Sequence, residues 1–430
     1  MVYYFEEWKP VVINQNYMPA IKKAILYSGS AGLAQLIMMV YTLVVARWLG
    51  PGEYSYFAAT YSICTLTACV FNWGFDTWLL REGSVLEDFS PLVNSILRIK
   101  GAIGLGWLVI MVSVVPLFRP TFFLPALLLI AGLDVLGDGL FNTGISTLNL
   151  IRQVKGMSAI LFVSRGGRLI SALILVFMDQ RNAMGFVIGR AVATWIGLIL
   201  VLFLIRRYLG GERLPPERLW KKSTIYGLSE LMAIIYAQVD VTLLALLAEK
   251  NSVGVYSPAI SLLNGLFILP NAIYNLLIPS LSRDIQDNWQ RGRHRFLVAM
   301  LGLGGLGIVL WAGLFFGGNW IATTLLGKGY QFSGQLLGIL SPIIFIKSLE
   351  FGIAALLISA GWQKKRLLPQ LFSAIIIIVL DLFIIPIYGP VGAAIVYLVC
   401  EIILLGGYLL LAIIWWRSHN KRPGQAKATS

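Results

Sequence analysis

Histidine and cysteine are nearly missing from this chain, and charge is scarce. The two histidines, His294 and His419, lie among basic residues, and Cys64, Cys69 and Cys400 lie in apolar stretches without CxxC spacing. Metal chemistry, His-based catalysis and a disulfide framework are therefore not expected. Charged residues make up 13% of the 430, against 58% hydrophobic. A soluble chain carries roughly 25% charged residues, so lipid must be the solvent here. The first 23 residues have no central apolar run and no small-residue cleavage site, so no cleavable signal peptide is expected. No Asp-x-Asp and no Ser/His/Asp or Cys/His set falls in a loop expected outside. The longest such loop, 317–335, is short, which speaks against a membrane polymerase, ligase or glycosyltransferase. No ring of charge or filter loop suggests a channel.

What is present is a series of long apolar segments. Twelve spans fit the sequence: 24–46, 55–80, 101–118, 121–148, 157–178, 183–205, 224–247, 253–281, 296–316, 336–360, 368–387 and 390–416. Each has about the 20 residues that a crossing needs. Backbone polar groups in lipid must be satisfied internally, and continuous apolar runs without strict alternation choose helices over a barrel. The expected fold class is an all-α integral membrane protein of about 12 transmembrane helices in two pseudo-symmetric six-helix lobes.

Charge distribution orients the spans. With the N-terminus in the cytoplasm, 25 of the 34 Lys and Arg fall on the cytoplasmic side, Arg98, Lys100 and Lys364–Arg366 among them. Five (Arg47, Arg119, Arg181, Lys250, Lys328) fall outside, and four lie within spans. This is the positive-inside pattern. It also accounts for the net charge of +14 without nucleic acid as a partner. Trp48, Trp220, Trp362, Trp415 and Trp416 fall at span ends, where indoles favour the interface. The expected divisions are a cytoplasmic segment 1–23, an N-lobe 24–205, a basic linker 206–223, a C-lobe 224–416 and a cytoplasmic tail 417–430.

The halves are weakly alike. GEYSYFAATYSI (52–63) resembles NSVGVYSPAISL (251–262) at an offset of 199, and GLG at 104–106 recurs at 305–307. Six spans per half make this a parallel repeat, a design suited to alternating access around a site between the lobes.

Ionisable residues inside spans mark candidate sites, since each costs roughly 2.5–3.5 kcal/mol at a helix centre. The basic ones are Arg165, Arg168, Arg190 and Lys347. They are candidates for a cationic cavity that binds an anionic cargo, because guanidinium forks suit phosphate oxygens. Snorkelling of Arg165 and Arg190 and pairing of Arg168 with Asp138 or Lys347 with Glu350 are the structural alternatives. Asp134, Asp138, Asp240, Glu350, Asp381 and Glu401 are candidates for pairing or for coupling to H+ or Na+. No cofactor or bound metal is expected.

Several segments resemble a known family. RWLGPGEYSYFAA (47–59) is similar to the Arg-x-Leu-Gly-Pro…Tyr-Gly-x-Tyr pattern of bacterial polysaccharide exporters, with Ser55 where Gly is common. NWGFDTWLLREGS (72–84), VDVTLLALLAEKNSVGVYSPA (239–259), LPNAIYNLLIPSLSR (269–283) and PIYGPVGAAIVYLVCE (386–401) continue the likeness. These exporters are the O-antigen and lipid-linked oligosaccharide flippases of the multidrug/oligosaccharidyl-lipid/polysaccharide (MOP) superfamily. The resemblance implies a MATE-like fold, a place in the bacterial cytoplasmic membrane and an undecaprenyl-diphosphate-linked oligosaccharide delivered to the outer leaflet for surface polysaccharide synthesis. It implies membrane lipids and other polysaccharide assembly proteins as partners. Arg47, Gly50 and Pro51 match the family motif and read as architecture. A cation-coupled multidrug exporter of the same superfamily is the alternative. A lipid II flippase is nearer still, but those usually carry a further helix pair.

Overall fold

The computed structural model describes residues 18–119, 122–210 and 216–420. Most of the expected N-terminal segment, the middle of the linker and the end of the tail lie outside the described residues. The described chain is helical: α1 (Met18–Thr67), α2 (Cys69–Asn72), α3 (Phe75–Gly83), α4 (Ser90–Phe118), α5 (Pro125–Leu150), α6 (Val154–Phe177) and α7 (Ala183–Ile205). Then follow α8 (Pro216–Leu247), α9 (Lys250–Leu266), α10 (Ile268–Asp287), α11 (Trp289–Leu325), α12 (Gln331–Leu340), α13 (Pro342–Ser359) and α14 (Gln363–Asn420). No strand occurs among the described residues.

Ten stretches are long and apolar enough to cross a membrane, and two of them, Gly32–Gly83 and Gln363–Ser418, run to 52 and 56 residues. A helix of that length would span about 80 Å at 1.5 Å per residue, far beyond a hydrocarbon core of roughly 30 Å. Each is divided by a glycine outside helical space, Gly50 (φ 70°) and Gly389 (φ 54°). Pro51 or Pro390 follows, supplying the fixed φ that starts the next helix. Ten stretches thus account for twelve crossings, and the chain is a multi-pass membrane protein.

The structure differs from the sequence reading where spans are interrupted. The second, expected to be continuous over 55–80, breaks between Ala68 and Gly74, where Trp73 and Gly74 adopt left-handed φ. Only a residue without a side chain fits at Gly74, because a Cβ there would overlap the backbone of Tyr226 and Gly227. The eighth breaks at Phe267, three residues before Pro270, which has no N–H to donate to the Leu266 carbonyl one turn back. The tenth breaks at Ser341–Pro342, and the Ser341 hydroxyl donates to the Gly338 carbonyl that Pro342 cannot reach (2.8 Å).

Helices α1–α7 pack on one another and α8–α14 pack on one another, with α8 and α9 meeting α1 at the seam. The five basic residues expected outside gather at the Gly50 end of the molecule. Arg47 donates to the carbonyls of Thr324 (2.8 Å) and Leu325 (3.2 Å) at the end of α11. Arg119 donates to Ala245 (2.8 Å) and Ala248 (2.7 Å) at the end of α8. Arg181 lies over Trp48 and Lys250 over Tyr56, and Gly329, beside Lys328, approaches Pro51. Cations from the first bundle thus cap helix C-termini of the second, where carbonyls are unpaired and the dipole is negative.

Candidate functional site

The seam is closest where the repeated segments meet. Ser55 and Gly254 are 199 residues apart, the offset of the repeat, and the Gly254 N–H donates to Ser55 Oγ (2.8 Å). A Cβ on Gly254 would overlap the Pro51 carbonyl oxygen. Contact between equivalent residues is what an approximate two-fold axis between the segments produces. Gly50 and Pro51 therefore turn the chain and also form the seat for the other bundle. Ser62 and Thr242 (2.5 Å), and Tyr330 with the Ala46 carbonyl (2.5 Å), extend this closure. At the opposite, linker end, α3 and α8 stay in contact through Gly74 on Gly227 and through Arg81, which donates to the Tyr226 hydroxyl.

Ionisable residues inside the spans form three groups. The first joins α5, α6 and α7. Arg168, 1% exposed, meets Asp138 (2.6 Å) and Asp134 (3.8 Å) and donates to Thr194 Oγ1. Thr194 donates in turn to Asp134. Arg165 pairs with Asp138 (2.8 Å) and Arg190 with Asp134 (2.8 Å). The Arg190 guanidinium also lies 3.9 Å from the centre of the Tyr61 ring. Three arginines and two aspartates thus form one continuous network, and Arg168 has no free surface to offer a cargo. Neither Arg165 nor Arg190 snorkels away: both turn toward these aspartates.

The second group lies in the C-terminal bundle. Lys347 Nζ is 2.9 Å from Glu350 and 2.6 Å from Glu401, the second partner supplied by the far limb of α14. These residues line a cavity of about 420 Å³ together with Asp240, Arg366, Asn264, Gln370, Tyr236, Tyr256, Tyr274, Tyr397 and Tyr408. Asp240 Oδ2 accepts from the Tyr256 hydroxyl (2.8 Å). Asp381 lies behind Asp240, carboxyl to carboxyl, and neither of its oxygens has a donor. The four basic residues proposed for one cationic hollow are therefore divided: only Lys347 lines this cavity, and the cavity wall is richer in carboxylates than in cations.

Sequence reasoning missed the third group. Lys100, assigned to the cytoplasmic rim, is fully buried, pairing with Asp76 (2.8 Å) and donating to the Gly139 carbonyl (3.1 Å). Thr143 donates to the other Asp76 oxygen (2.6 Å). Helix α4 begins at Ser90, ten residues before Lys100, so a span start set at 101 placed it in a loop. Arg366 was missed for the same reason, standing beside Lys364 and Lys365. An apolar groove of about 590 Å³ between α6 and α7, floored by Gly166, Gly167 and Gly189, holds no ionisable group.

Two helical bundles meeting along a seam, with charged clusters inside the spans, define a two-lobed multi-pass membrane protein. Comparison with known proteins gives the family. The model of the polysaccharide biosynthesis protein family matches residues 20–285, more than half of the chain, and the chain belongs to that family. No curated protein sequence matches it. Among solved structures it is similar to an inward-facing multidrug resistance MATE transporter of the MOP superfamily, with TM-score 0.73 and 11% identity over 91% of this chain and 100% of that one. It is equally similar to the lipid II flippase MurJ in an inward closed conformation, with TM-score 0.73 and 15% identity over 92% and 90% of the two chains. An outward-facing MATE transporter gives 0.63 and 14% identity over 95% and 97%. The fold is that of MATE and MurJ transporters.

Proposed function

We propose that this protein flips a lipid-linked oligosaccharide, carried on undecaprenyl diphosphate, from the inner to the outer leaflet of a bacterial cytoplasmic membrane. The observation that carries the reading is the polar C-terminal cavity. Five charged residues and five tyrosines surround it inside a bundle that is otherwise apolar, and buried charge in a membrane protein marks a pathway. The seam at the Gly50 end is closed by Arg47, Arg119, Ser55 and Tyr330. The inward-facing relative superposes better than the outward-facing one. With the Gly50 end outside, as the basic residues favour, the molecule is poised to load from the cytoplasm.

Coupling is assigned to Asp240 and Asp381. Two carboxyls facing each other in a dry environment need a cation between them, a role that H+ or Na+ fills. Proteoliposomes holding a fluorescent lipid-linked sugar in the inner leaflet test the function: a proton or sodium gradient should drive the label outward, and Asp381→Asn should lose that dependence. No gradient-driven movement with purified protein would overturn the proposal. In cells, a deletion strain should accumulate the lipid-linked repeat.

The carboxylate surplus in the cavity favours one other reading, a cation-coupled drug exporter. Ethidium efflux from the same proteoliposomes, with no movement of lipid-linked sugar, would establish it.

A further inference from the structure

The cavity in the C-terminal bundle has two unlike ends. At its deep end three carboxyls that are more than nine-tenths buried, Asp240, Glu350 and Glu401, outnumber the one ammonium of Lys347, with Glu350 set against Glu401 and Asp240 against Asp381. The ammonium of Lys347 is already engaged by both glutamates. This end has more acceptor lone pairs than donors, so it favours an occupant that brings hydrogen-bond donors. A sugar carboxylate brings only acceptors and a like charge. Hydroxyl, acetamido and ammonium groups bring donors. Aromatic rings of Tyr236, Tyr256 and Tyr397 wall the same end and offer flat faces with polar tips.

Its other end carries Arg366. This guanidinium stands over the Tyr408 ring (5.9 Å), and its buried Nε has no hydrogen-bond partner. Among the described residues it forms no ion pair, unlike Arg165, Arg168, Arg190 and Lys347. Tyr408 lies seven residues along α14 from Glu401, so Arg366 sits about 10 Å from the carboxylates at 1.5 Å rise per residue. It is three residues from the start of α14, near the membrane surface, where the phosphates of a lipid carrier travel. A free guanidinium fork is suited to such a group.

We propose that this cavity selects a lipid-linked glycan whose membrane-proximal sugar is neutral or amino-bearing and not acidic. Arg366 holds the adjoining phosphate, and Glu350, Glu401 and Asp240 read the sugar's donors. The inference rests on the flippase reading and sharpens it to a substrate class.

The test uses purified full-length protein in lipid nanodiscs and two probes, undecaprenyl diphosphate bearing N-acetylglucosamine and the same lipid bearing glucuronic acid. The neutral probe should bind about tenfold more tightly or better, a factor of ten being 1.4 kcal/mol. Arg366→Ala should weaken both probes by about tenfold, the loss of a charge-assisted contact, and Arg366→Lys should restore part of it. Glu350→Gln should narrow the gap between probes to about threefold or less. Should Arg366→Ala not accumulate, Gln370→Leu, one turn further in, reads the same end. Equal or tighter binding of the glucuronate probe overturns the inference while leaving the flippase reading intact. Binding of neither probe, with ethidium bound instead, overturns both.

Discussion

The two bundles bury charge in opposite ways. In the N-terminal bundle Arg165, Arg168 and Arg190 interlock with Asp134 and Asp138, and Thr194 bridges what remains. The network is closed, and its cations and anions nearly balance. In the C-terminal bundle Lys347 is outnumbered by Glu350, Glu401, Asp240 and Asp381, and several oxygens face a cavity without partners. A closed network holds helices together; an open one is held ready for something else. On the function proposed above, the difference assigns the working site to the second bundle.

The comparison can be broken by substitution. Removing Arg168 should have the largest effect on stability, because Arg168→Ala deletes a fully buried side chain that ties Asp138, Asp134 and Thr194 together, at a cost of roughly 3–5 kcal/mol. Thermal unfolding in detergent should fall sharply, and an unchanged midpoint would mean the network is not structural. Lys347→Ala should cost less, about 1–3 kcal/mol, because Glu350 and Glu401 lie against each other and can share a proton in place of the ammonium. A loss equal to that of Arg168→Ala would make the bundles alike. Thr194→Val removes one hydroxyl from the closed network and should lower stability by about 1 kcal/mol, with transport otherwise retained. Asp381→Asn should leave the unfolding midpoint within about 0.5 kcal/mol of the parent, as removing one of two facing carboxylates relieves repulsion, while ion dependence disappears. A gradient response that survives this change would move coupling elsewhere.

Much of the N-terminal network was legible beforehand. Asp134 and Asp138 are one helical turn apart and Arg165 and Arg168 three residues apart, so each pair lies on one helix face whatever the packing. Lys347 and Glu350 were legible for the same reason. Glu401 as a second partner was not, because it reaches Lys347 only after α14 folds back at Gly389. Arg366 and Lys100 were read as loop charges because hydropathy places helix ends poorly. Arg119 was counted at the right end, yet its grip on the α8 carbonyls depends on how the bundles dock.

The sequence by itself determined that this is a membrane protein of about twelve helices, since apolar length and backbone hydrogen bonding in lipid leave no other choice. It also marked the charges near the middle of spans, because a residue's position along a span sets its depth, but not those such as Lys100 and Arg366 that lie near span ends. Only the tertiary structure decided that the basic residues fall into two separate environments, and that one cavity has a cationic rim and an acidic floor. Those properties depend on which helix faces point at each other. Packing across the seam and the reversals at Gly50 and Gly389 choose those faces, and hydropathy along a single chain carries no record of the choice.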